Sequence, residues 1–548
     1  MALVTVVLTT LVLMTVATAA VGYGLGSQNL SRRDQDWNAA LAAAEAGIDD
    51  YVLRLNQDNN YWQSSDPDDP PFDTLNGALT GWVEIPGGSE EAEFHYEIDG
   101  SDVLSSGTVN IVSTGRLRNV ERTIEATLRK RSFLDYLYFT DFETLDPVAY
   151  TGSPSPAWAQ ANCSRYWYNG RPEGSGQCVN IRFGGNDVIN GPLHSNDAIL
   201  IRSTPQFLGD TSTSWNDPGG KFWRDDNPVS TPFFANPGDP SFAPPLTMPP
   251  SNTALRAEAD VDQGGQGCLF TGPTSIEMNA DGTMTVLSPF SDDTSQNCWT
   301  SDLDTGDTMP LPANGVVFIE NVPTGHAHAG CSSHPLGYPQ DDDEYNSYSC
   351  KSGDAFVQGT LDGQLTIAAE NDVTIVWHTT YEDGVAGDDL LGLVANNFVE
   401  VYHPIEGYWI YGGGNPSNSH RYCSYQGSNW WYCWDNVDVV TNQGTPLESD
   451  KNDPFEDARV DAAILSVQHS FLVQEWARPY SKGLGDLNVT GVIAQRFRGP
   501  VGTTSGSGYD KEYVYDTRLQ YLQPPKFLDP VAASWSVATW AEVSEPAQ

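Results

Sequence analysis

The chain opens with an apolar stretch, because residues 1–31 contain no charged side chain. As a helix rising about 1.5 Å per residue, residues 1–26 are long enough to cross the hydrocarbon core of a bilayer. A secretory signal peptide is the alternative, because Ala17-Thr18-Ala19 before Ala20 resembles a cleavage site. No basic residue precedes the apolar run, which favours a retained helix.

Helical periodicity continues beyond the apolar stretch. Apolar residues recur every three or four positions at Trp37, Leu41, Ala44, Ile48, Tyr51 and Leu55. Turn-forming residues follow at 56–60. The pattern predicts one helix over residues 1–57, on the order of 80 Å long. Its first half is apolar all round and its second half is amphipathic. A membrane anchor needs only the first half. A filament subunit needs both, to pack against its own copies and under its own globular domain.

The segment AALAAAEAG at residues 39–47, preceded by the apolar and threonine-rich start, resembles the N-terminus of type IV pilins, and PilX-type subunits most of all. The resemblance implies a leader removed by a prepilin peptidase, with Met1 as the N-methylated first residue. It also implies that residues near the start form the filament core. These are Met1, Leu3, Val4, Thr5, Val7, Leu8, Leu11, Leu13 and Val16.

Two features of this segment depart from most pilins. Thr5 stands where the family usually carries a glutamate that neutralises a neighbour's terminal amine. This favours a minor or tip role, or a filament built without that ion pair. Gly22, Gly24 and Gly26 lie near the usual helix-breaking proline. Because glycine costs about 1 kcal/mol in a helix interior, they predict a weak point that unwinds on assembly. The alternative is that small residues allow close helix packing.

The rest of the chain predicts a β-rich fold. Alternating segments at 81–85, 93–98, 108–113 and 122–129 predict an antiparallel meander within residues 58–135. Residues 136–548 form a predicted large acidic domain of short strands broken by Asn, Asp or Gly. We expect a β-solenoid or right-handed β-helix over residues 180–210 and 355–500, with a β-sandwich as the alternative. Long insertions are expected at 205–355 and 405–455. The predicted fold class is α+β.

Charge and cysteine content place the chain outside the cytoplasm. Its 27 basic and 72 acidic residues give a net charge of −45, which argues against nucleic-acid partners. The eight cysteines lack a CxxC pair and fall into successive local pairs, which predicts four disulfides by proximity. The predicted pairs are Cys163–Cys178, Cys268–Cys298, Cys331–Cys350 and Cys423–Cys433.

Candidate chemistry is sparse. The His326-x-His328 spacing in GHAHAGCSSH, together with Asp341, Asp342 and Asp343, makes a weak metal candidate. Calcium is the minority alternative for this acidic run and for Asp66, Asp68, Asp69 and Asp73, neither of which has EF-hand spacing. No cofactor is predicted.

Aromatic residues crowd positions 408–434, which indicates a mini-core around Cys423–Cys433, a ligand-binding surface or a subunit contact. No catalytic motif is present, so we expect no enzyme.

The resemblance to type IV pilins implies a subunit that assembles with its own copies, with other pilins and with pilus machinery. It would wait in the cytoplasmic membrane before extraction into an extracellular filament. A tip adhesin is the second hypothesis. A membrane-anchored β-helix protein that binds or cleaves carbohydrate is the third.

Overall fold

The structure is a computed structural model. It describes residues 2–58, 61–65, 72–85, 92–101, 108–130, 132–150, 152–185, 187–225, 230–336, 349–403, 405–417, 421–436, 457–476, 483–502, 507–531 and 535–543. The chain divides into two compact units, each described by itself. Unit 1 comprises residues 1–131 and 534–548, and unit 2 comprises residues 132–533.

Unit 1 is a long helix on an antiparallel sheet. Helix α1 spans Ala2–Gln57 and the short helix α2 spans Gly77–Thr80. The strands are β1 (Val83–Glu84), β2 (Ala92–Asp99), β3 (Thr108–Leu117), β4 (Val120–Lys130) and the last strand of the chain, β31 (Trp535–Val543). They pair antiparallel in the order β1-β2-β3-β4-β31. The predicted meander is therefore present, with one strand added.

The added strand corrects the predicted domain boundaries. The sequence pattern assigned residues 136–548 to one domain, but Trp535–Val543 pairs with β4 in unit 1. The two hydrogen bonds that the side chain of Asn56 makes with the backbone of Trp535, at 2.6 and 3.1 Å, tie this strand to the end of α1. Unit 2 is therefore an insertion between two neighbouring strands of unit 1.

Unit 2 contains helices α3 (Pro156–Cys163) and α4 (Thr253–Ala259) and many short strands. The strands are β5 (Tyr138–Phe142), β6 (Val188–Asn190), β7 (Leu193–Ser195), β8 (Ile199–Ile201), β9 (Gln206–Phe207), β10 (Thr211–Thr213), β11 (Trp223–Asp225), β12 (Phe233–Phe234), β13 (Ser241–Phe242), β14 (Cys268–Thr271), β15 (Thr274–Asn279), β16 (Thr283–Leu287), β17 (Asp307–Pro310), β18 (Val316–Glu320), β19 (Ala355–Leu361), β20 (Gln364–Ala369), β21 (Val373–Tyr381), β22 (Leu390–Ala395), β23 (Val399–Val401), β24 (Ile405–Tyr411), β25 (Arg421–Gly427), β26 (Trp430–Asn436), β27 (Ala458–Ser466), β28 (Phe471–Val473), β29 (Gly483–Phe497) and β30 (Gly508–Tyr515).

Most strands of unit 2 stack in parallel ladders. One ladder runs in the spatial order β13, β10, β7, β5, β29, β27, β22, β20, β18 and β14. Identical positions of successive strands form apolar rows. One such row contains the buried residues Val317, Ile367, Leu393, Ile464, Ile493, Tyr138 and Leu193. A second ladder contains β12, β9, β6, β30, β29, β27, β21, β19 and β15.

The ladders change the expected boundaries of the insertions. Residues 205–355 were expected to interrupt the strands, yet β14, β15 and β18 lie within this range and pair parallel with neighbouring strands. Among the described residues of this range, β15, β16 and β17 form an antiparallel meander. Within 405–455, the described residues form a separate antiparallel sheet in the order β24-β26-β25.

The cysteines are joined in the four predicted pairs: Cys163–Cys178, Cys268–Cys298, Cys331–Cys350 and Cys423–Cys433. Their Cα–Cα distances lie between 4.0 and 6.1 Å. Local pairing succeeds here because each disulfide closes a loop of only 10 to 30 residues.

Candidate functional site

The first half of α1 exposes its apolar side chains on every face. Residues Ala2–Gly22 have a mean hydropathy of 2.2 and none of the span is buried. The predicted core residues Leu3, Val4, Thr5, Val7, Leu8, Leu11, Leu13 and Val16 are all exposed, whereas Met1 lies outside the described residues. An isolated apolar helix surface of this size requires lipid or another protein to cover it.

The threonine hydroxyls of this half are all hydrogen-bonded within the helix. Each hydroxyl donates to a backbone carbonyl three or four residues earlier, as in Thr9 to Thr5 (2.9 Å) and Thr18 to Met14 (2.9 Å). Thr5 itself donates to the carbonyl of Ala2 at 2.8 Å. Because these groups are satisfied within the helix, the segment can enter an apolar environment at little cost. Thr5 is neutral and supplies no carboxylate to a neighbouring chain.

The second half of α1 lies on the sheet of unit 1. Its buried residues are Ala40, Ala43, Ala44, Gly47, Ile48, Tyr51 and Leu55. The predicted stripe is thus buried from Ala44 to Leu55, while Trp37 is 50 % exposed and lies under the guanidinium of Arg122 at 4.5 Å. The buried face is what holds the exposed half of the helix to a folded body.

Small residues let the helix approach the sheet closely. A Cβ on Gly115 of β3 would lie 2.2 Å from the carbonyl oxygen of Ala40 and 2.2 Å from the amide nitrogen of Ala44. The hydroxyl of Ser113 donates to the carbonyl of Ala44 at 2.8 Å. The segment at residues 39–47 therefore lies in direct backbone contact with β3.

A polar network fixes the end of the helix. The hydroxyl of Tyr96 donates to Asp50 at 2.8 Å and accepts from the amide of Asn76 at 2.8 Å. Asp50 also pairs with Arg54 at 2.8 Å. Burial raises the pKa of Tyr96 well above its usual value, so the phenol stays protonated and keeps donating.

The predicted weak point does not interrupt the helix in this structure. Helix α1 is continuous through Gly22, Gly24 and Gly26. A Cβ on Gly22 would meet no atom within 4 Å, so nothing in this chain requires a glycine there. Unwinding on assembly remains a prediction about the assembled state.

The weak metal candidates do not form a metal-binding cluster among the described residues, although the rings of His326 and His328 have centroids 5.7 Å apart. His326 Nε2 lies 2.9 Å from Asp292, while His328 stacks on Phe290 at 4.2 Å between ring centroids. His334 packs against Phe356, and burial lowers its pKa to about 4. Asp341, Asp342 and Asp343 lie outside the described residues, as do Asp66, Asp68 and Asp69. No cluster of three metal-binding side chains occurs within the described ranges.

The aromatic segment is a small three-stranded sheet with several exposed aromatic rings. Trp409 faces Tyr432 and Tyr411 faces Trp430 across β24 and β26, with centroids 5.0 and 5.1 Å apart. Trp409 and Tyr411 are 57 % and 65 % exposed. The Cys423–Cys433 disulfide joins β25 to β26 directly. The side chains of Tyr408, Tyr422 and Trp434 lie outside the described residues.

Sequence reasoning missed a cavity of about 810 Å³ in unit 2. Arg182, Arg202, Lys511, Trp476 and Tyr509 line it. These residues come from four separate parts of the chain, so no local motif marks them.

Comparisons with known proteins gave little beyond this geometry. No protein-family model matches the chain, and no curated protein matches it. Among solved structures, it is similar to the competence-associated pilin ComZ from Thermus thermophilus. The alignment covers 93% of this chain and 97% of that chain, at 13% identity and a TM-score of 0.26. A likeness at this TM-score carries no argument about function.

Proposed function

We propose that the chain is a structural subunit of a type IV pilus-family filament. Copies of residues 1–22 pack together in the filament core, and the acidic units form the outer surface. The observation that carries the proposal is the division of one continuous helix. The side chains of Ala2–Gly22 are exposed, while the face from Ala40 to Leu55 is buried on the sheet of unit 1.

The length of the helix favours a filament over a simple anchor. At about 1.5 Å per residue, the 56 residues of α1 form a rod on the order of 80 Å long. The 21 residues of the apolar span suffice to cross a membrane. The second half of α1 is bound to the sheet of unit 1, so the exposed first half is left to pack against the same segment of other copies.

Apolar packing holds the filament core together once the helices have left the membrane. Burial of apolar surface away from water contributes about 25 cal/mol per Å². Before assembly the same surface would lie in the cytoplasmic membrane, where the satisfied threonine hydroxyls cost little. Extraction by pilus machinery would then exchange lipid contacts for contacts with neighbouring subunits.

Unit 2 in this proposal is a β-solenoid that forms part of the filament surface. Two continuous parallel ladders with in-register apolar rows support this interpretation. Rungs that stack on one another bury a core without helices between strands. The role assigned to unit 2 is structural rather than enzymatic.

The test is assembly of the purified full-length chain, viewed by negative-stain electron microscopy. We expect fibres of uniform width from the wild type and none from Leu8→Arg, which places a charge on the exposed apolar helix. Leu75→Arg is the matched control, since Leu75 is an apolar residue that is 93 % exposed outside α1. Fibres that survive Leu8→Arg unchanged, or single helices alone in lipid without neighbouring copies, would contradict the proposal.

A minor or tip subunit is the second candidate, favoured by the neutral side chain at Thr5. With no carboxylate there, the chain does not offer the ion pair that the pilin resemblance implies for subunits along a fibre. Antibody labelling at fibre ends alone would support this role over the first. Detergent-solubilised monomers with lectin or lyase activity would instead support the membrane-anchored carbohydrate protein.

A further inference from the structure

A three-stranded sheet in unit 2 is not hydrogen-bonded to the parallel ladders. Among the described residues, β24, β26 and β25 pair only with one another. Ser428 and Asn429 have φ values of 52° and 64°, as in the tight two-residue turn of a β-hairpin. The disulfide between Cys423 and Cys433 joins paired positions of β25 and β26. The sheet is therefore fixed by its own turn and its own disulfide.

The strand register places aromatic residues on one side of this sheet. Trp409 is opposite Tyr432, Tyr411 is opposite Trp430, and Ser424 is opposite Tyr432 from the other side. Directly opposite residues share a face, and so do alternate residues along one strand. These five residues therefore lie on the same side, which we call the aromatic face.

Contacts among the rings account for only part of their surface. Trp409 meets Trp430 and Tyr432 with centroids 6.3 and 5.0 Å apart and interplanar angles of 82° and 70°. Edge-on contacts of this kind stabilise a sheet. Trp430 is nevertheless 43 % exposed, and Trp409 and Tyr411 are more than half exposed. A mini-core would bury these rings, so the aromatic face is open to a ligand.

The other face of the sheet is engaged within the chain. Cys423 and Cys433 are buried there. The indole of Trp431 donates to the carbonyl of Gly412 at 3.1 Å, and its ring lies 5.0 Å from that of Tyr425. Tyr425 is exposed on this side, so it serves as an internal comparison for the aromatic face.

The aromatic face is neutral in a strongly acidic chain. None of its described side chains is charged. The charged residues of the three strands are Glu406, Arg421 and Asp435, and Asp435 is in register with both of the others. All three occupy positions that alternate with those of the rings, and such positions belong to the other face. The net charge of −45 repels anionic ligands and leaves neutral ones unaffected.

We propose that the aromatic face binds a neutral glycan whose sugar rings carry all their hydroxyls equatorially, such as a cello-oligosaccharide. A ring of this kind has two apolar faces of C–H groups, which stack on Trp409, Tyr411 and Trp430. Its polar edge stays in water or meets the hydroxyl of the exposed Tyr411. Because the turn and the disulfide hold the sheet in place, little conformational entropy is lost on binding.

Two other partners fit this face less well. An acidic glycan would be repelled by the charge of the chain. A second copy of the chain would bring together two molecules that each carry a charge of −45, with only a few rings to offset the repulsion. A neutral glycan supplies apolar area without that cost.

The proposal does not depend on filament assembly. Chains that form fibres and bind the glycan would be filament subunits with an adhesive surface. Chains that bind the glycan but form no fibres would contradict the filament proposal and leave this one standing. Fibres without glycan binding would do the reverse.

The test is calorimetric titration of the full-length chain with cellohexaose, in a detergent that has no sugar head group. Hexagalacturonate is the acidic comparison of equal length. We expect saturable binding of cellohexaose and at least about tenfold weaker binding of the acid. Added salt should leave the affinity for cellohexaose unchanged, since no charge is neutralised. Absence of cellohexaose binding, or equal binding of the acid, would overturn the proposal.

Variants locate the site. Trp409→Leu and Tyr411→Leu should each weaken cellohexaose binding about fivefold, and Trp409→Phe should weaken it less. Tyr521→Leu is the matched control, since Tyr521 is an exposed tyrosine outside the sheet. Tyr425→Leu, on the other face, should bind as the wild type does. Correctly folded Trp409→Leu and Tyr411→Leu chains with wild-type affinity, or a loss confined to Tyr425→Leu, would exclude the aromatic face.

Size-exclusion chromatography of the same variants tests the face as a contact between copies. We expect Trp409→Leu and Tyr411→Leu to elute as the wild type does in detergent. Altered association together with unchanged affinity for cellohexaose would assign the face to a subunit contact and refute the glycan site.

Discussion

Buried charges in unit 2 are organised around a few acidic residues. Asp197 and Arg171 form an ion pair in which both side chains are fully buried. Asp197 also accepts hydrogen bonds from the backbone amides of Trp167 at 2.7 Å and Glu143 at 3.0 Å. A buried charge that keeps all these partners is tolerated, whereas one that loses a partner is costly.

Asp197→Asn should therefore destabilise unit 2 by about 3–5 kcal/mol, because it leaves Arg171 buried without its counter-charge. Urea unfolding of the full chain measures the effect. Glu258→Gln is the matched control, since Glu258 is 39 % exposed and pairs with Lys526 at 3.5 Å. The control should cost less than about 1 kcal/mol. Equal losses from both variants would show that burial of the pair is not the cause.

A pair of buried carboxyl groups makes the stability of unit 2 depend on pH. Asp354 and Asp372 are fully buried, and burial raises the pKa of each carboxyl from 3.8 to about 7. Between about pH 4 and pH 7 the folded chain then holds more protons than the unfolded chain. The stability that these groups contribute is present in full below pH 4 and is lost as the pH rises towards 7.

Asp354→Asn removes one of these ionisations, and Asn371 and the amide of Asp372 can still donate to the new side-chain oxygen. The unfolding free energy of the variant, relative to the wild type, should rise steadily from pH 4 to pH 8. Urea unfolding at a series of pH values measures this difference directly. A difference that stays constant with pH would refute the assignment.

Single residues were partly predictable from the sequence. The disulfides could be paired because each cysteine has a near neighbour along the chain. The contacts of His326 and His328 could not be foreseen, because Asp292 and Phe290 approach them from a different segment. The same is true of Arg182 and Arg202, which line one cavity from separate segments of the chain.

Among the elements, the contact between α1 and β3 sets the strictest steric condition in unit 1. Gly115 faces the backbone of α1 at distances where no side chain fits. Gly81 offers a contrast in the same unit, since a Cβ there would meet nothing within 4 Å.

Gly115→Ala should push α1 away from the sheet and destabilise unit 1 by about 1–3 kcal/mol. Hydrogen–deuterium exchange of the β3 amides in the full chain measures the loss locally. Gly81→Ala should leave exchange unchanged within about 0.5 kcal/mol. If Gly115→Ala leaves β3 as protected as in the wild type, the close contact does not stabilise the unit.

The strands themselves were predictable where they alternate clearly. The expected strands at 93–98, 108–113 and 122–129 correspond to Ala92–Asp99, Thr108–Leu117 and Val120–Lys130. Strands within 205–355 escaped notice because many have only two to five residues and are embedded in sequence rich in Gly, Pro and Ser. Their partners in the ladders supply the order that local sequence does not.

At the scale of the whole molecule, the spatial order of the ladder could not be read from the chain. The first strand of unit 2, β5, pairs with β29 near its end, so that Ile493 faces Tyr138. Within unit 2, the chain therefore enters the ladder at its middle and runs outward from β5 to β13 at one end. It then continues with β14 at the other end and returns strand by strand to β29, beside β5. Periodicity reports strands but does not report which distant strands become neighbours.

Removal of residues 1–22 should separate assembly from folding. Ala2–Gly22 contains no buried residue, so the truncated protein should melt at the same temperature as the full chain, as judged by circular dichroism. It should also remain soluble without detergent and form no fibres in negative-stain images. A large fall in melting temperature would mean that the apolar half supports the fold.

The insertion of unit 2 between β4 and β31 has a mechanical consequence. Tension on unit 2 would enter unit 1 at Lys130 and Trp535, which face each other at the same end of the strand pair. Loaded there, two antiparallel strands peel apart one hydrogen bond at a time. At this position the side chain of Asn56 makes two hydrogen bonds with the backbone of Trp535. A pulling force is thereby passed to the end of α1, the longest helix of the chain, before the sheet can unzip.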